Sequence, residues 1–177
     1  MSGSASSFFA KIKMSRRACE KWLKSPIRHV SDYDDWHGMN PQAAAAPDDV
    51  TSSAKLDFMS VDEFLDTLAD LSGFFCCEYD DDEGAFFIAD VHRKAGGLGD
   101  LAVFYAALRG AEAFKDDDEP SFIYVFPESG GDPDALLRIR KGASQFLNPK
   151  DASPDVLYFV NEAEEFAESL AEDDMTV

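Results

Sequence analysis

Basic residues are scarce over most of this chain. Beyond position 30, nine Lys and Arg face thirty-four Asp and Glu, whereas the first thirty residues hold seven bases against one acid. The net charge is −19 and the isoelectric point lies near 4.3. This balance argues against DNA or RNA as a ligand, because phosphate contacts depend on clustered Lys and Arg. Long apolar runs are also missing: none approaches the roughly 20 residues of a membrane span. Met1 to Ser7 has neither the positive start nor the apolar stretch of a secretory signal and reads as a frayed tail. A soluble, cytoplasmic protein with no membrane partner is therefore expected. Cysteine is sparse, with Cys19, Cys76 and Cys77 an odd set. Adjacent residues on a strand point to opposite faces and seldom bridge, so reduced structural thiols are expected. No G-x-S-x-G elbow is present, and the three histidines, His29, His37 and His92, are few for a metal centre. No cofactor and no catalytic residue is expected.

What is present is enough apolar mass for one domain: 177 residues, 45% hydrophobic, with fifteen Phe. Phe8 to Lys13 alternates apolar and basic side chains as a half-buried strand does. Ser15 then caps a helix through Ala18, Cys19, Trp22 and Leu23, which Pro26 ends. Residues 38–57 lack a sustained apolar period and read as a long loop. Ser60 and Glu63 form an S-x-x-E capping box ahead of Phe64, Leu65, Leu68 and Leu71 at helical spacing, with Gly73 as the stop. Phe74 to Tyr79 and Ala85 to Val91 read as a hairpin with an acidic tip. A third helix carries Leu101, Phe104, Tyr105, Leu108 and Phe114. Strands are expected at Phe122 to Phe126, Ala135 to Arg140 and Val156 to Val160, then a short helix from Glu162 to Ala171 and an acidic tail at 172–177. This order predicts a single α+β domain over residues 8–171. Its sheet is mixed or mainly antiparallel, of about five strands with three to four helices.

Two acidic runs stand out: Asp80, Asp81, Asp82 and Glu83 at the hairpin tip, and Asp116, Asp117, Asp118 and Glu119 after the third helix. Asp80 to Gly84 fails as a calcium loop, since with Gly84 sixth the first and twelfth positions are Tyr79 and Asp90. Four acids at a helix C-terminus oppose its dipole, so the second run lies beyond the last turn or serves something other than stability. Asp32, Asp34, Asp35 and His37 offer oxygen and nitrogen ligands, with Asp34 and His37 at i, i+3 spacing, but a packed Trp-His-Gly turn is the plainer reading. Trp36 reads either as an interface anchor or as part of the protein's own core. Gly97 to Ala102 fits a degenerate dinucleotide fingerprint, yet the strand before it belongs to a hairpin and Asp100 would repel a pyrophosphate. Cys19 lies near Arg16 and Arg17, but its place on the apolar helix face makes it a buried thiol. The basic segment, Lys11, Lys13, Arg16, Arg17, Lys21, Lys24 and Arg28, is spread around strand and helix. Internal pairing with the acidic bulk is its plainest use.

The stretch from Phe8 to Ile27, FFAKIKMSRRACEKWLKSPI, with Asp32-Tyr33-Asp34-Asp35-Trp36-His37-Gly38 soon after, resembles the opening of immunity proteins encoded beside bacterial polymorphic toxins. The likeness spans about the first forty residues. It implies a small cytoplasmic α+β protein that binds and blocks one cognate toxin, in contact-dependent or type VI secretion systems, often an acidic inhibitor of a basic nuclease. Contact residues vary between such families and do not transfer by position. On physical grounds the contact falls to Asp80, Asp81, Asp82, Glu83, Asp116, Asp117, Asp118 and Glu119, with Trp36 as an aromatic anchor. The rival expectations are an acidic adaptor or chaperone for a secreted effector, and an enzyme of unknown class.

Overall fold

The computed structural model describes residues 5–38, 59–71, 75–94, 98–127, 135–148, 150 and 153–174. Strand β1 (Ala5–Lys13) alternates strictly, with Phe8, Ala10 and Ile12 in one buried cluster and Phe9 in another. A strand buried on both faces belongs in the middle of a sheet. β1 indeed pairs on one side with β3 (Ala85–Lys94) and on the other with β4 (Ser121–Pro127). With β2 (Phe75–Asp80), β5 (Ala135–Arg140) and β6 (Ala143–Leu147), the sheet has six strands in the order β2-β3-β1-β4-β5-β6, antiparallel at every junction.

Two turns set the hairpin registers. Between β2 and β3, Gly84 sits at φ 60° and the Asp80 carboxylate accepts the backbone N–H groups of Asp82 and Glu83 at 2.8 and 3.0 Å. An Asp that mimics a backbone turn and a Gly in the left-handed region are what such a turn requires. Between β5 and β6 only Lys141 and Gly142 intervene, with Gly142 at φ 74°.

Helix α1 (Arg16–Leu23) starts as expected: the Ser15 hydroxyl accepts the Ala18 N–H at 3.3 Å, and Ala18, Cys19 and Trp22 face inward. Helix α2 (Val61–Leu71) is capped by Glu63, whose carboxylate accepts the Ser60 N–H at 2.9 Å; Val61, Phe64, Leu65 and Leu68 form its buried stripe. The two helices are tied where they meet, Ile27 donating to the Met59 carbonyl at 3.1 Å and Val61 to the Ser25 carbonyl at 3.0 Å. Helix α3 (Leu98–Arg109) buries Phe104 through Leu108 without interruption, as a helix enclosed on several sides does. All three pack on the sheet face that carries Phe8, Ala10 and Ile12. Helix α4 (Pro154–Asp174) covers the other face, where Val156, Phe159 and Ala163 meet Phe9, Phe122, Tyr124 and Leu136.

The architecture is therefore the expected single-domain α+β, with six strands instead of five and four α-helices. Four boundaries are corrected. Val156 to Val160 is the first part of α4, not a strand: those five residues have high strand preference, but the positions that reach the core, 156, 159, 160, 163 and 166, recur at helical spacing, so tertiary packing overrides propensity. Residues 172–174 continue that helix instead of starting a tail. Ala5 to Ser7 belongs to β1 and pairs with β3 and β4. The third helix stops at Arg109 and passes into a 3-10 turn over Gly110–Ala113, so the acids at 116–119 do lie beyond its last turn. The expected stop at Gly73 and the loop from 39 to 57 lie outside the described residues.

Candidate partner-binding surface

The end of β1 is where the sign change in the sequence becomes geometry. Lys11 and Lys13 leave the sheet on the α4 side, and Met14 donates its N–H to the Gly84 carbonyl at 3.2 Å, which fastens the β2–β3 tip beside α1. Lys11 Nζ donates to Glu83 at 3.1 Å and to Glu162 of α4 at 2.8 Å. Lys13 Nζ lies 3.9 Å from Glu83 and 3.2 Å from Glu119. One continuous chain, Glu162–Lys11–Glu83–Lys13–Glu119, thus joins α4, the hairpin tip and the segment before β4. Arg16 clasps the Asp81 carboxylate with Nε at 2.8 Å and Nη2 at 2.5 Å and lies over the Tyr79 ring, 4.6 Å from its centre. Asp116 accepts the Ser15 N–H at 3.1 Å, and Arg140 stands 4.0 Å from Asp118. The two acidic runs, distant in sequence, are brought to one end of the molecule and bound there by Lys11, Lys13 and Arg16, three of the seven bases for which internal pairing is expected, together with Lys115 and Arg140.

These contacts shift protonation in consistent directions. The hydrogen bonds from Arg16 hold Asp81 below the ordinary carboxylate range, and those from Ser15 do the same for Asp116. Burial pulls the Lys11 ammonium down, but its hydrogen bonds to Glu162 and Glu83 outweigh that and leave its pKa raised. Lys115 is the opposite case. Its ammonium is buried, donates to the Lys13 carbonyl and to the Ser121 hydroxyl, the latter at 2.9 Å, and desolvation lowers its pKa despite four carboxylates at 116–119.

The Asp32 to His37 stretch does something else. Asp32 accepts the His29 N–H at 3.0 Å and closes its own 3-10 turn. Asp35 receives Arg109 Nη1 at 2.7 Å and the Phe146 N–H at 3.1 Å. Arg109, 2% exposed, also donates to the Ser144 hydroxyl at 2.7 Å and carbonyl at 2.9 Å and lies 3.9 Å from the centre of the Tyr33 ring. This guanidinium locks the 30–38 segment and β6 to the end of α3. Burial pushes the Tyr33 phenol well above its ordinary range. Asp34 and His37 are exposed, and no cluster of three or more His, Cys, Asp or Glu able to hold a metal occurs among the described residues. Trp36 is corrected as an anchor: it is 9% exposed, donates to the Val30 carbonyl at 2.9 Å and packs against Phe146 and Tyr33, so its ring belongs to the core.

The remaining candidates resolve by position. Cys19 is buried, and desolvation against the opposing charge of Arg16 pushes its thiol up to about 12. Cys76 packs toward α4, whereas Cys77 is exposed; all three thiols are free. Gly99 and Asp100 lie in the first turn of α3, and the β3 that precedes it is antiparallel to both neighbours, so no parallel βαβ unit exists for a dinucleotide there.

One surface was not anticipated. Leu157 and Tyr158, 47% and 68% exposed, are the large apolar side chains left in solvent among the described residues, and both lie on α4. That helix carries eight acids and no base along its 21 residues. The signal was legible in principle, because the absence of Lys and Arg from 154–174 is visible in the sequence, but a strand reading of 156–160 conceals which side chains share a face. No helix among the described residues is long and apolar enough to cross a membrane. Compared with protein-family models, curated proteins and solved structures, the chain finds no match in any of the three.

Proposed function

We propose that this protein is an immunity protein, a cytoplasmic inhibitor that binds one cognate bacterial toxin domain, a basic nuclease, and occludes its active site. The observation that carries the reading is the convergence of Asp80–Glu83 and Asp116–Glu119 at one end of the sheet, held by Lys13 between Glu83 and Glu119. Carboxylates fixed in place reproduce the negative field of nucleic-acid phosphates and steer a cationic active site toward this end of the molecule. The resemblance of residues 8–38 to toxin-linked immunity proteins agrees with this chemistry and supplies the delivery context, contact-dependent or type VI secretion.

The test is reconstitution with the products of the adjacent reading frames. Stoichiometric loss of nuclease activity is expected, with an association rate that falls steeply as salt is raised, and a rise in melting temperature only when that partner is added. Asp82→Lys with Asp118→Lys should slow association. A product that binds yet stays fully active would make the chain an adaptor or chaperone, and turnover of a small molecule by the chain alone would make it an enzyme; either overturns the proposal.

A further inference from the structure

We propose that the outward face of α4, centred on Leu157 and Tyr158, is the anchor that seats in an apolar cleft on a basic protein partner; this rests on the proposed function. Solvent-exposed positions 157, 158, 161, 164, 165 and 168 recur at helical spacing and make one stripe about 15 Å long. Its N-terminal half presents the Leu157 and Tyr158 side chains, and its C-terminal half Glu164, Glu165 and Glu168. Two adjacent large apolar groups beside a carboxylate-only surface gain nothing by facing water. Tyrosine, with an apolar ring and a polar hydroxyl, is with Trp and Arg among the side chains that most often dominate an interface.

The occupant follows from charge. With no Lys or Arg on the helix, the face repels another acidic surface, including a second copy of a chain carrying −19, and attracts a cationic one. The face is also continuous with the acidic end of the sheet. Glu162, one turn beyond Tyr158, is the first member of the ion-pair chain through Lys11, Glu83 and Lys13 to Glu119. A partner drawn by the two acidic runs therefore has α4 within the same footprint.

The experiment uses the full chain and the adjacent-frame product that inhibition assays identify. Tyr158→Ala should raise Kd about thirtyfold, mostly through faster dissociation, with unchanged melting temperature because the side chain supports nothing in the fold. Glu165→Lys with Glu168→Lys should slow association and leave dissociation nearly as it was. If the partner binds wild type and Tyr158→Ala within twofold of each other, the anchor is overturned while the function stands, whatever the charge reversal does to association. If no adjacent product binds wild type, the function falls, and benzoylphenylalanine at position 158, with Thr67 on α2 as control, decides the face. An adduct of twice the chain mass, or none, overturns it. An adduct with a basic protein that, once purified, binds wild type and weakens about thirtyfold against Tyr158→Ala upholds it.

Discussion

Replacing Arg109 tests whether the Asp32 to His37 stretch is structural. The guanidinium makes three hydrogen bonds, to Asp35, the Ser144 hydroxyl and the Ser144 carbonyl, and stacks on Tyr33, all at 2% exposure. Arg109→Ala leaves the Asp35 carboxylate with the Phe146 N–H as its remaining described partner and leaves the Ser144 groups without their donor. Breaking a buried pair from one side costs about 3–5 kcal/mol. The Asp35 side chain is 26% exposed, so water recovers part of that and the lower end, about 3 kcal/mol, is expected. At roughly 2–4 °C per kcal/mol for a chain of this size, the melting temperature should fall by about 6–12 °C. Arg109→Lys should recover little, since an ammonium cannot span Asp35 and Ser144 as the fork does. Asp35→Asn, which keeps an oxygen acceptor, should cost about 1–2 kcal/mol. Urea unfolding followed by the fluorescence of Trp22 and Trp36 measures each. A loss below about 1 kcal/mol in Arg109→Ala would refute the assignment of this guanidinium as a structural lock.

Gly38→Ala places a Cβ 2.5 Å from Phe146 Cβ, an atom that cannot swing away, and should cost about 1–3 kcal/mol in the same assay. Lys115, whose folded-state pKa lies below the ordinary 10.5, binds fewer protons folded than unfolded in that interval. Stability should therefore climb with pH through it, and Lys115→Met should remove the climb in urea titrations taken between pH 7 and 11. Lys11 acts with the reverse sign: its raised pKa gives a contribution complete below 10.5 and lost as pH rises through the folded value, so Lys11→Met should flatten a decline at the alkaline end. Desolvation pushes both Cys19 and Cys77 up to about 12, so at pH 8 a thiol reagent should label exposed Cys77 far more slowly than an ordinary free cysteine and reach buried Cys19 only as fast as the fold opens.

What could be read from sequence was local. The Ser15 cap, the Glu63 cap, the alternation of β1 and the Asp-rich hairpin each depend on residues within a few positions of one another, and each formed as expected. Val156 to Val160 did not, because five consecutive apolar residues satisfy a strand and a buried helix equally; only the core contacts of Phe159 and Ala163 decide between them. β6 escaped because Ala-Ser-Gln-Phe-Leu has no β-branched residue, and the Lys141-Gly142 turn was the sole sign of a hairpin. The Arg109–Asp35 pair spans 74 positions, so no spacing argument reaches it, and Trp36 stayed open between core and surface until that pair was in place. The nearness of the two acidic runs is likewise a product of sheet order: β1, which carries the bridging lysines, lies between β3 and β4.

The paired state of the acidic end separates the work of steering from that of anchoring. Eight carboxylates in the two runs stand beside Lys11, Lys13, Arg16, Lys115 and Arg140, so most of the local charge is already neutralised at contact range. A partner that took Asp81 or Glu83 for its own cation would first have to break a bond to Arg16 or Lys11. The net gain would be small, as for any exchange of one ion pair for another. Beyond about 8 Å, roughly the screening length in physiological salt, a partner senses only the sum of the charges. That sum is negative at this end and more so along α2 and α4, where Asp62, Glu63, Asp66 and Asp70 and the eight acids of α4 have no base on the same helix. On the proposed function, approach rates would therefore be set by the whole anionic surface, while residence would depend on groups free to make new contacts, foremost Tyr158 and Leu157. Charge reversal at the acidic end and truncation on α4 should accordingly separate in kinetics, the first acting on association and the second on dissociation.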